Sequence, residues 1–432
     1  MIGAGLFLVF VLLMLAGAPI GVALGIGGAL AIALSNLDVP NWGLLAVPQN
    51  FYASLTKYPL LALPMFVLVG SIFDRSGIAS RLVNFAVAVV GRGPGMLPVV
   101  AILVAMFLGG VSGSGPANAA AVGGVMIAAM ARAGYPNPFS ASVVGAAAAT
   151  DILIPPSIAL IIYSVMVPGA SVPALFAAGM VPGILAGLAL IVPALWLARK
   201  HNMGRLEAGL PRPPFWTSLR EAAWGLLAPV LILGGMRMGW FTPTEAGAVA
   251  VAYGLFVGMA VHRTIGWADL GEIFREAAEI SGLILLVIGL ASIFAYAVNT
   301  LGIIDPVARA ITGSGLGSAG VLICVVALLL VVGMFLDGVS IFLIFVPLLM
   351  PLMRTYGWDP VWFGILMTMM VAVGQFTPPM AVNLMVSCKM AGVSMEQTFP
   401  WVWWLVLGMM VSLLAVLFMP ELALWLPRYL GY

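Results

Sequence analysis

The sequence predicts an all-α polytopic membrane protein built from two inverted repeats, each holding a re-entrant helical hairpin and an unwound transmembrane helix. Three observations carry that prediction. Of the 432 residues, 63% are hydrophobic and only 7% are charged, against about 25% charged in soluble domains. Two of the apolar tracts are interrupted in the middle by Gly, Ser, Pro or Asp, where lipid offers the backbone no replacement partner. The chain also repeats itself at an interval of 223 residues.

The apolar runs give spans at 4–33, 58–73, 138–166, 173–198, 221–240, 244–262, 281–299, 360–388 and 400–426. Residues 152–198 contain no Asp, Glu, Lys or Arg. Outer-membrane barrels show alternating segments of about ten residues, and these runs are longer and do not alternate. The first run lacks a charged leader and a cleavage site, so it reads as a retained span. The stretch "TIGWADLGEIFREAAEI" (264–280) has charged residues on one helical face and suits a helix lying in the interface.

Two tracts, 96–131 and 317–353, carry their polar break at the centre. Arg75, Arg81 and Arg92 precede the first and Arg132 follows it; Arg199, Lys200, Arg205, Arg212 and Arg220 crowd one later loop. The positive-inside rule makes these segments cytoplasmic. The tract 96–131 then enters and leaves from one side, as a hairpin. This map puts the N-terminus in the cytoplasm and the C-terminus in the periplasm, and leaves Arg237, Arg309 and Arg354 outside.

The repeat is carried by residues that apolar helices do not share by chance. Gly110, Gly115 and Gly134 pair with Gly333, Gly338 and Gly357, and Pro155–Pro156 pairs with Pro378–Pro379. Ser164, Gly169, Ser171 and Phe176 pair with Ser387, Gly392, Ser394 and Phe399. Five spans separate the two broken tracts, and an odd number inverts the second copy. Inverted repeats with interrupted helices are an architecture of secondary transporters, with the site near the midplane at the interruptions.

Each hairpin tip has an acceptor where a new helix starts: Ser114 before Gly115–Pro116, and Asp337 before Gly338. Both are good N-caps, and Pro is favoured at the first helical position. The helix behind a tip points free N–H groups into the gap, and the helix before it leaves free carbonyls. The proline pairs in "ATDILIPPSI" (149–158) and "VGQFTPPMAV" (373–382) stop their helices. A tip facing an unwound loop gathers oxygens around a small volume, which is what a hard cation such as Na⁺ requires. Two such pairs imply two cation sites with substrate between them. Asp151 and Asp337 are the carboxylates most deeply set in apolar sequence, and a membrane carboxylate is functional by default. Asp151 reads equally as a cap satisfied by local N–H groups.

Other classes fit less well. No basic patch suits nucleic acid. No His/Asp/Glu cluster has the spacing of a membrane enzyme. Cys324 and Cys388 lie in or near apolar stretches, unlike a disulfide or metal pair. His201 and His262 stand at span ends and read as interfacial anchors. A channel accommodates two inverted hairpins, but paired unwound loops holding carboxylates suit ion coupling better.

The stretches "GGVSGSGPANAAAVGG" (109–124), "IPPSIALIIY" (154–163), "FTPTEAGAVAVAYG" (241–254), "TPPMAVNLMV" (377–386), "AGVSMEQTF" (391–399) and "PELALWLP" (420–427) together resemble the large membrane subunit of tripartite ATP-independent periplasmic (TRAP) transporters, the DctM-like family. The likeness runs along essentially the whole chain. It implies import of a small organic anion, a carboxylate or sugar acid, across the bacterial inner membrane. It further implies a Na⁺ gradient, a periplasmic solute-binding protein and a separate four-span small membrane subunit.

The resemblance also implies an elevator, with scaffold at 1–75, 171–300 and 391–432 and transport repeats at 76–170 and 301–390. By position, Gly333, Gly374, Thr377 and Met380 match one cation site, and Ser112, Ser114, Ile154 and Ser157 the other. Ser112, Ser157 and Asp337 match the substrate region, to which Ser114 and Asn118 are added. Family members often have an acidic residue near Asn118 and a Ser/Thr-Gly pair before the first proline pair. Here Asn118 and Thr150–Asp151 stand there, so the first site takes Na⁺ with Thr150 and Asp151 among its ligands, or H⁺ through Asp151. The rival reading is a stand-alone Na⁺- or H⁺-coupled anion symporter of a related hairpin type.

Overall fold

The computed structural model describes residues 2–91, 93–209, 212–302, 313 and 315–432. Arg92 and Arg309, used above in assigning sides, lie outside them, as does the side chain of Ser112. Among the described residues every regular element is helical, and seven helices are long and apolar enough to cross a membrane.

The N-terminal run is two helices, α1 (Ile2–Leu15) and α2 (Ile20–Ser35), not the single span read over 4–33. Gly17 takes a left-handed φ of +87° and Pro19 follows it, so the chain turns and α2 packs back on α1. After α3 (Ala46–Leu55), α4 (Ala62–Arg75) and α5 (Ile78–Val90) comes the first hairpin. Its arms are α6 (Met96–Ser112) and α7 (Gly115–Arg132), with Gly113 at φ +64° closing α6. The first broken helix is α8 (Asn137–Ala148) and α9 (Ile158–Met166).

Three helices follow: α10 (Val172–Lys200), α11 (Phe215–Arg237) and α12 (Pro243–Leu255), the last running into a π turn at Phe256–Val261. The expected interfacial helix at 264–280 is not separate. It is the first half of α13 (Trp267–Thr300), 34 residues without a break. At 1.5 Å per residue α13 reaches about 51 Å, well beyond a hydrocarbon core of about 30 Å, so its charged turns extend past the apolar layer. Arg75 on α4 ties to them through Glu272 (2.8 Å) and Glu276 (3.1 Å).

The second repeat supplies α14 (Gly317–Gly333) and α15 (Gly338–Tyr356), then α16 (Pro360–Gly374) and α17 (Val382–Ala391). The run read as one span over 400–426 is also two helices, α18 (Phe399–Phe418) and α19 (Glu421–Leu430), parted at Met419–Pro420. The His262 ring donates from Nδ1 to the Ser76 carbonyl (3.0 Å), and the His201 ring meets Trp401 edge-on. Both are packing contacts at helix ends.

The two repeats interlock at the centre through exchanged halves of their broken helices. Half-helix α8 packs on α17, and α9 packs on α15 and α16. Small residues set the approach. A Cβ on Gly145 would lie 3.0 Å from Leu384 Cα, and one on Gly364 would lie 2.5 Å from the Tyr163 ring. Helix α10 packs on α18, the equivalent element of the other repeat, and also on α6.

Candidate functional site

Each tip faces the unwound loop of its own repeat. A Cβ on Gly113 would stand 3.1 Å from the Pro156 carbonyl oxygen, and one on Gly110 3.5 Å from that of Pro155. In the second repeat the Met380 amide donates to Met334 O on the tip (3.3 Å). There Gly374 lies so close to Gly333 that a Cβ on it would strike the Gly333 carbonyl. Both proline pairs are joined by a cis peptide bond.

Between the tips lies a cavity of about 240 Å³. Its walls are Gly113–Ala117 of the first tip, Asp337–Val339 of the second, Ser71 and Asp74 of α4, Glu276 of α13, and Gln375. Helices α7 and α15 both begin at it, so two sets of free amides and two positive dipole ends point into one space. Three carboxylates, Asp74, Glu276 and Asp337, line it, and no Lys, Arg or His does among the described residues. The nearby Arg75 guanidinium is held by Glu272 and Glu276.

The sequence-derived residues divide. Ser114 sits at the N-cap of α7 and lines the cavity, but its side chain makes no capping bond. Asp337 does cap: it accepts from the Ser340 amide (3.2 Å) and from the Ser340 hydroxyl. Ser157 caps α9, accepting from the Leu160 amide (3.5 Å) and donating to Ile152 O (2.6 Å). It is buried behind the wall that its neighbours Ile152 and Ile158 form. Asn118 likewise does not line the cavity; its amide nitrogen donates to Ala105 O (2.9 Å).

Among the remaining cation candidates, Thr150 donates to Ala147 O (2.8 Å), and the Ile154 amide donates to Thr150 O (3.2 Å). Thr377 donates to Val373 O (2.6 Å), its own amide bonds Gly374 O (3.1 Å), and the Met380 side chain is exposed. Gly333, Gly374, Thr377 and Met380 are thus brought together; Ser112 ends α6, and its side chain lies outside the described residues. Asp151 caps nothing. It falls between α8 and α9, fully buried, with neither carboxyl oxygen hydrogen-bonded.

Sequence reasoning missed Gln375 and Asn383. The Gln375 side chain adjoins both Gly115 and Gly338, bridging the tips, and accepts from Asn383 (3.2 Å). The signal was present: both are polar residues flanking the second proline pair. Asp74, at the end of α4, and Glu276, within the amphipathic stretch 264–280, were missed as well. Only the fold turns them toward the cavity.

The oxygens of tips and unwound loops suit hard cations, and the amide ends suit an anion. The family described as "Tripartite ATP-independent periplasmic transporter, DctM component" matches residues 7–422. The chain is 38% identical over 416 residues to the C4-dicarboxylate TRAP transporter large permease protein DctM of Pseudomonas aeruginosa, covering 95% of this chain and 94% of that protein. It is 33% identical over 422 residues to the sialic acid TRAP transporter large permease protein SiaM of Vibrio cholerae, covering 97% of each.

It is also 34% identical over 421 residues to the isethionate TRAP transporter permease protein DctMQ of Oleidesulfovibrio alaskensis, covering 97% of this chain but only 65% of that protein. The solved YdaH transporter of Alcanivorax borkumensis shares the fold, with a TM-score of 0.58 and 12% identity over 88% of this chain and 90% of that one. The helices and these relatives mark a multi-pass inner-membrane protein that transports and is not an enzyme. The chain belongs to the family of DctM components of tripartite ATP-independent periplasmic transporters.

Proposed function

We propose that this chain is the large subunit of a Na⁺-driven importer of a small organic anion, a carboxylate or sugar acid. A periplasmic solute-binding protein delivers the solute, and a small four-span membrane subunit accompanies the chain. The observation that carries the reading is the pair of tips facing two unwound loops across one cavity. The amide ends of α7 and α15 favour an anionic group. Three lining carboxylates oppose it, so the anion is stable there only with cations bound beside it. That is a physical basis for coupling.

The proposed ligands of the second cation are oxygens of Gly333, Gly374, Thr377 and Met380, and those of the first come from Ser112, Ser114, Thr150, Asp151, Ile154 and Ser157. The relatives' names speak of C4-dicarboxylate, sialic acid and isethionate, all small acids. In the proposed elevator the hairpins and broken helices move against a scaffold that includes α4 and α13, with the N-terminus cytoplasmic and the C-terminus periplasmic. Helices α10 and α18 fall in the segments expected from the resemblance to be scaffold, but they pack on these elements, and in this reading they travel with them instead.

The test is uptake in proteoliposomes holding the full chain, its small subunit and the binding protein, across a panel of labelled acids. Uptake should need both an inward Na⁺ gradient and the binding protein. Uptake indifferent to Na⁺ would overturn the coupling, and uptake without the binding protein would favour a stand-alone symporter.

A further inference from the structure

Away from the central cavity two further cavities run together between α10 and α11. Each holds about 240 Å³, and Met180 and Leu233 line both, so they form one groove. The two helices are antiparallel along it. Phe176 of α10 shares one end with Arg237 of α11, and Ile184 shares the other with Leu226. Among the described residues α10 and α11 share no packed seam: α10 packs on α6, α18 and α19, and α11 chiefly on α5 and α12. The groove is the gap between two packing groups.

Its walls say what can fill it. Among the described residues Arg237 is the only charged side chain that lines either cavity. It is exposed and enters no ion pair among them. The charge map leaves it on the outer side, against the positive-inside tendency. Apart from the Tyr432 hydroxyl the remaining side chains of the lining are apolar, and an apolar space of this kind does not hold water. Ile184 and Val230 are exposed, so the groove opens sideways, where a membrane presents hydrocarbon.

The length fits one leaflet. From Arg237 back to Leu226, at 1.5 Å per helical residue, the groove runs about 16 Å, or half of a hydrocarbon core of about 30 Å. Trp240 and Tyr432 are exposed at the Arg237 end, and such rings mark the headgroup level. The inner end closes on the first repeat: Gly110 and Pro155 line it, and a Cβ on Gly110 would stand 3.1 Å from Pro229 Cγ on α11. The groove therefore has a cationic mouth, an apolar shaft one leaflet deep and a closed floor.

We propose that this groove binds one phospholipid of the outer leaflet, with an acyl chain between α10 and α11 and its phosphate on the Arg237 guanidinium. A guanidinium matches phosphate oxygens in a bidentate pair. An anionic headgroup is preferred, because the ammonium of a zwitterionic one would share the mouth with Arg237. The site goes beyond the transport reading and does not depend on which solute is carried.

The test is native mass spectrometry of the full chain with its small subunit, titrated in detergent with phosphatidylglycerol or phosphatidylcholine. The unmodified protein should hold one phosphatidylglycerol more tightly than any further lipid. A Cβ on Gly234, which lines the groove, meets no atom within 4 Å, so Gly234→Phe puts a ring into the shaft and should lose that lipid. Arg237→Gln should weaken phosphatidylglycerol by about fivefold, the worth of one arginine beside anionic lipid, and so abolish its advantage over phosphatidylcholine. Arg354→Gln makes the same charge change outside the groove and should bind like the unmodified protein. If Gly234→Phe fails to fold, Arg237→Gln against Arg354→Gln decides. An unchanged tight lipid in Gly234→Phe overturns the site, as does equal weakening by the two arginine variants. Absence of any tight lipid from the unmodified protein overturns it too; if Gly234→Phe then sheds the small subunit, the groove belongs to that subunit instead.

Discussion

Tyr135 donates its hydroxyl hydrogen to Glu207 over 2.6 Å at the base of the first hairpin, and the same hydroxyl accepts from the Gly95 amide at 2.7 Å. The repeat partner of Tyr135 is Trp358, and that of Gly95 is Ser318. Trp358 donates to the Ser318 hydroxyl at 2.9 Å. Both hairpins are thus pinned at their base by an aromatic side chain in the same place, the Tyr135 oxygen accepting in the first and the Trp358 N–H donating in the second. The first carries in addition a buried carboxylate from the loop after α10.

Tyr135→Phe should lower the melting temperature, at a cost of about 1.5–3 kcal/mol for a hydrogen bond to a charged group. Burial, and then Glu207, raise the Tyr135 phenol above the usual tyrosine range. A group held protonated in the fold contributes stability that is complete below its unfolded pKa of about 10 and is lost as pH rises past it toward the folded value. The native protein should therefore lose stability above that pH more steeply than Tyr135→Phe. Melts of both proteins at neutral and alkaline pH check it, and parallel curves would exclude the contribution.

Gly374 is a glycine because backbone meets backbone. A Cβ there would strike the Gly333 carbonyl group. Gly374→Ala should cost about 1–3 kcal/mol by overpacking and lose uptake along with it. Gly271, on α13, has open space where its Cβ would be. Gly271→Ala should be neutral or stabilise by about 0.5–1 kcal/mol. Equal melting temperatures for the two variants would contradict the close approach.

Much of this was legible in the sequence because the membrane punishes irregular backbone. A Gly-Ser-Gly-Pro run inside apolar sequence had to be a tip, and two prolines in tandem had to end a helix. Both tips and both unwound loops fall where the motifs put them. Boundaries were less legible where apolar composition hid a turn, as at Gly17–Pro19 and Met419–Pro420. Composition also hid continuity: α13 changes from amphipathic to apolar without a break. The cavity was legible only in part. Asp337 and Ser114 announce themselves by position, whereas Asp74 and Glu276 reach it through the packing of α4 and α13 on each other.

Thr377 offers a hydroxyl that already donates to Val373 O (2.6 Å), so its oxygen is oriented with lone pairs free for a cation. Thr377→Val keeps the shape and removes that oxygen. The backbone ligands remain, so the effect should be partial: a rise of about fivefold in the Na⁺ concentration for half-maximal uptake, for about 1 kcal/mol. An unchanged Na⁺ dependence at normal expression would remove the hydroxyl from the second cation site.

Asp337 holds two roles that substitution can separate. As the N-cap of α15 it accepts from the Ser340 amide and hydroxyl, and it is also exposed to the cavity. Its repeat partner Ser114 holds the same cap position with no side-chain bond, so the fold tolerates a serine there. Ser and Asp cap comparably, and losing the cap to Ala costs about 1 kcal/mol. A carboxylate in a span costs more, at least about 2.5 kcal/mol on insertion scales, which capping alone does not require. A bare carboxylate repels an anionic substrate, so Asp337 should act through a bound cation, a water or a substrate hydroxyl. Asp337→Ser should fold, insert and melt like the native protein, with uptake strongly reduced. Asp337→Ala should lose both uptake and about 1 kcal/mol of stability. Near-normal uptake by Asp337→Ser in proteoliposomes, with binding protein and small subunit present, would show that Asp337 is a cap alone.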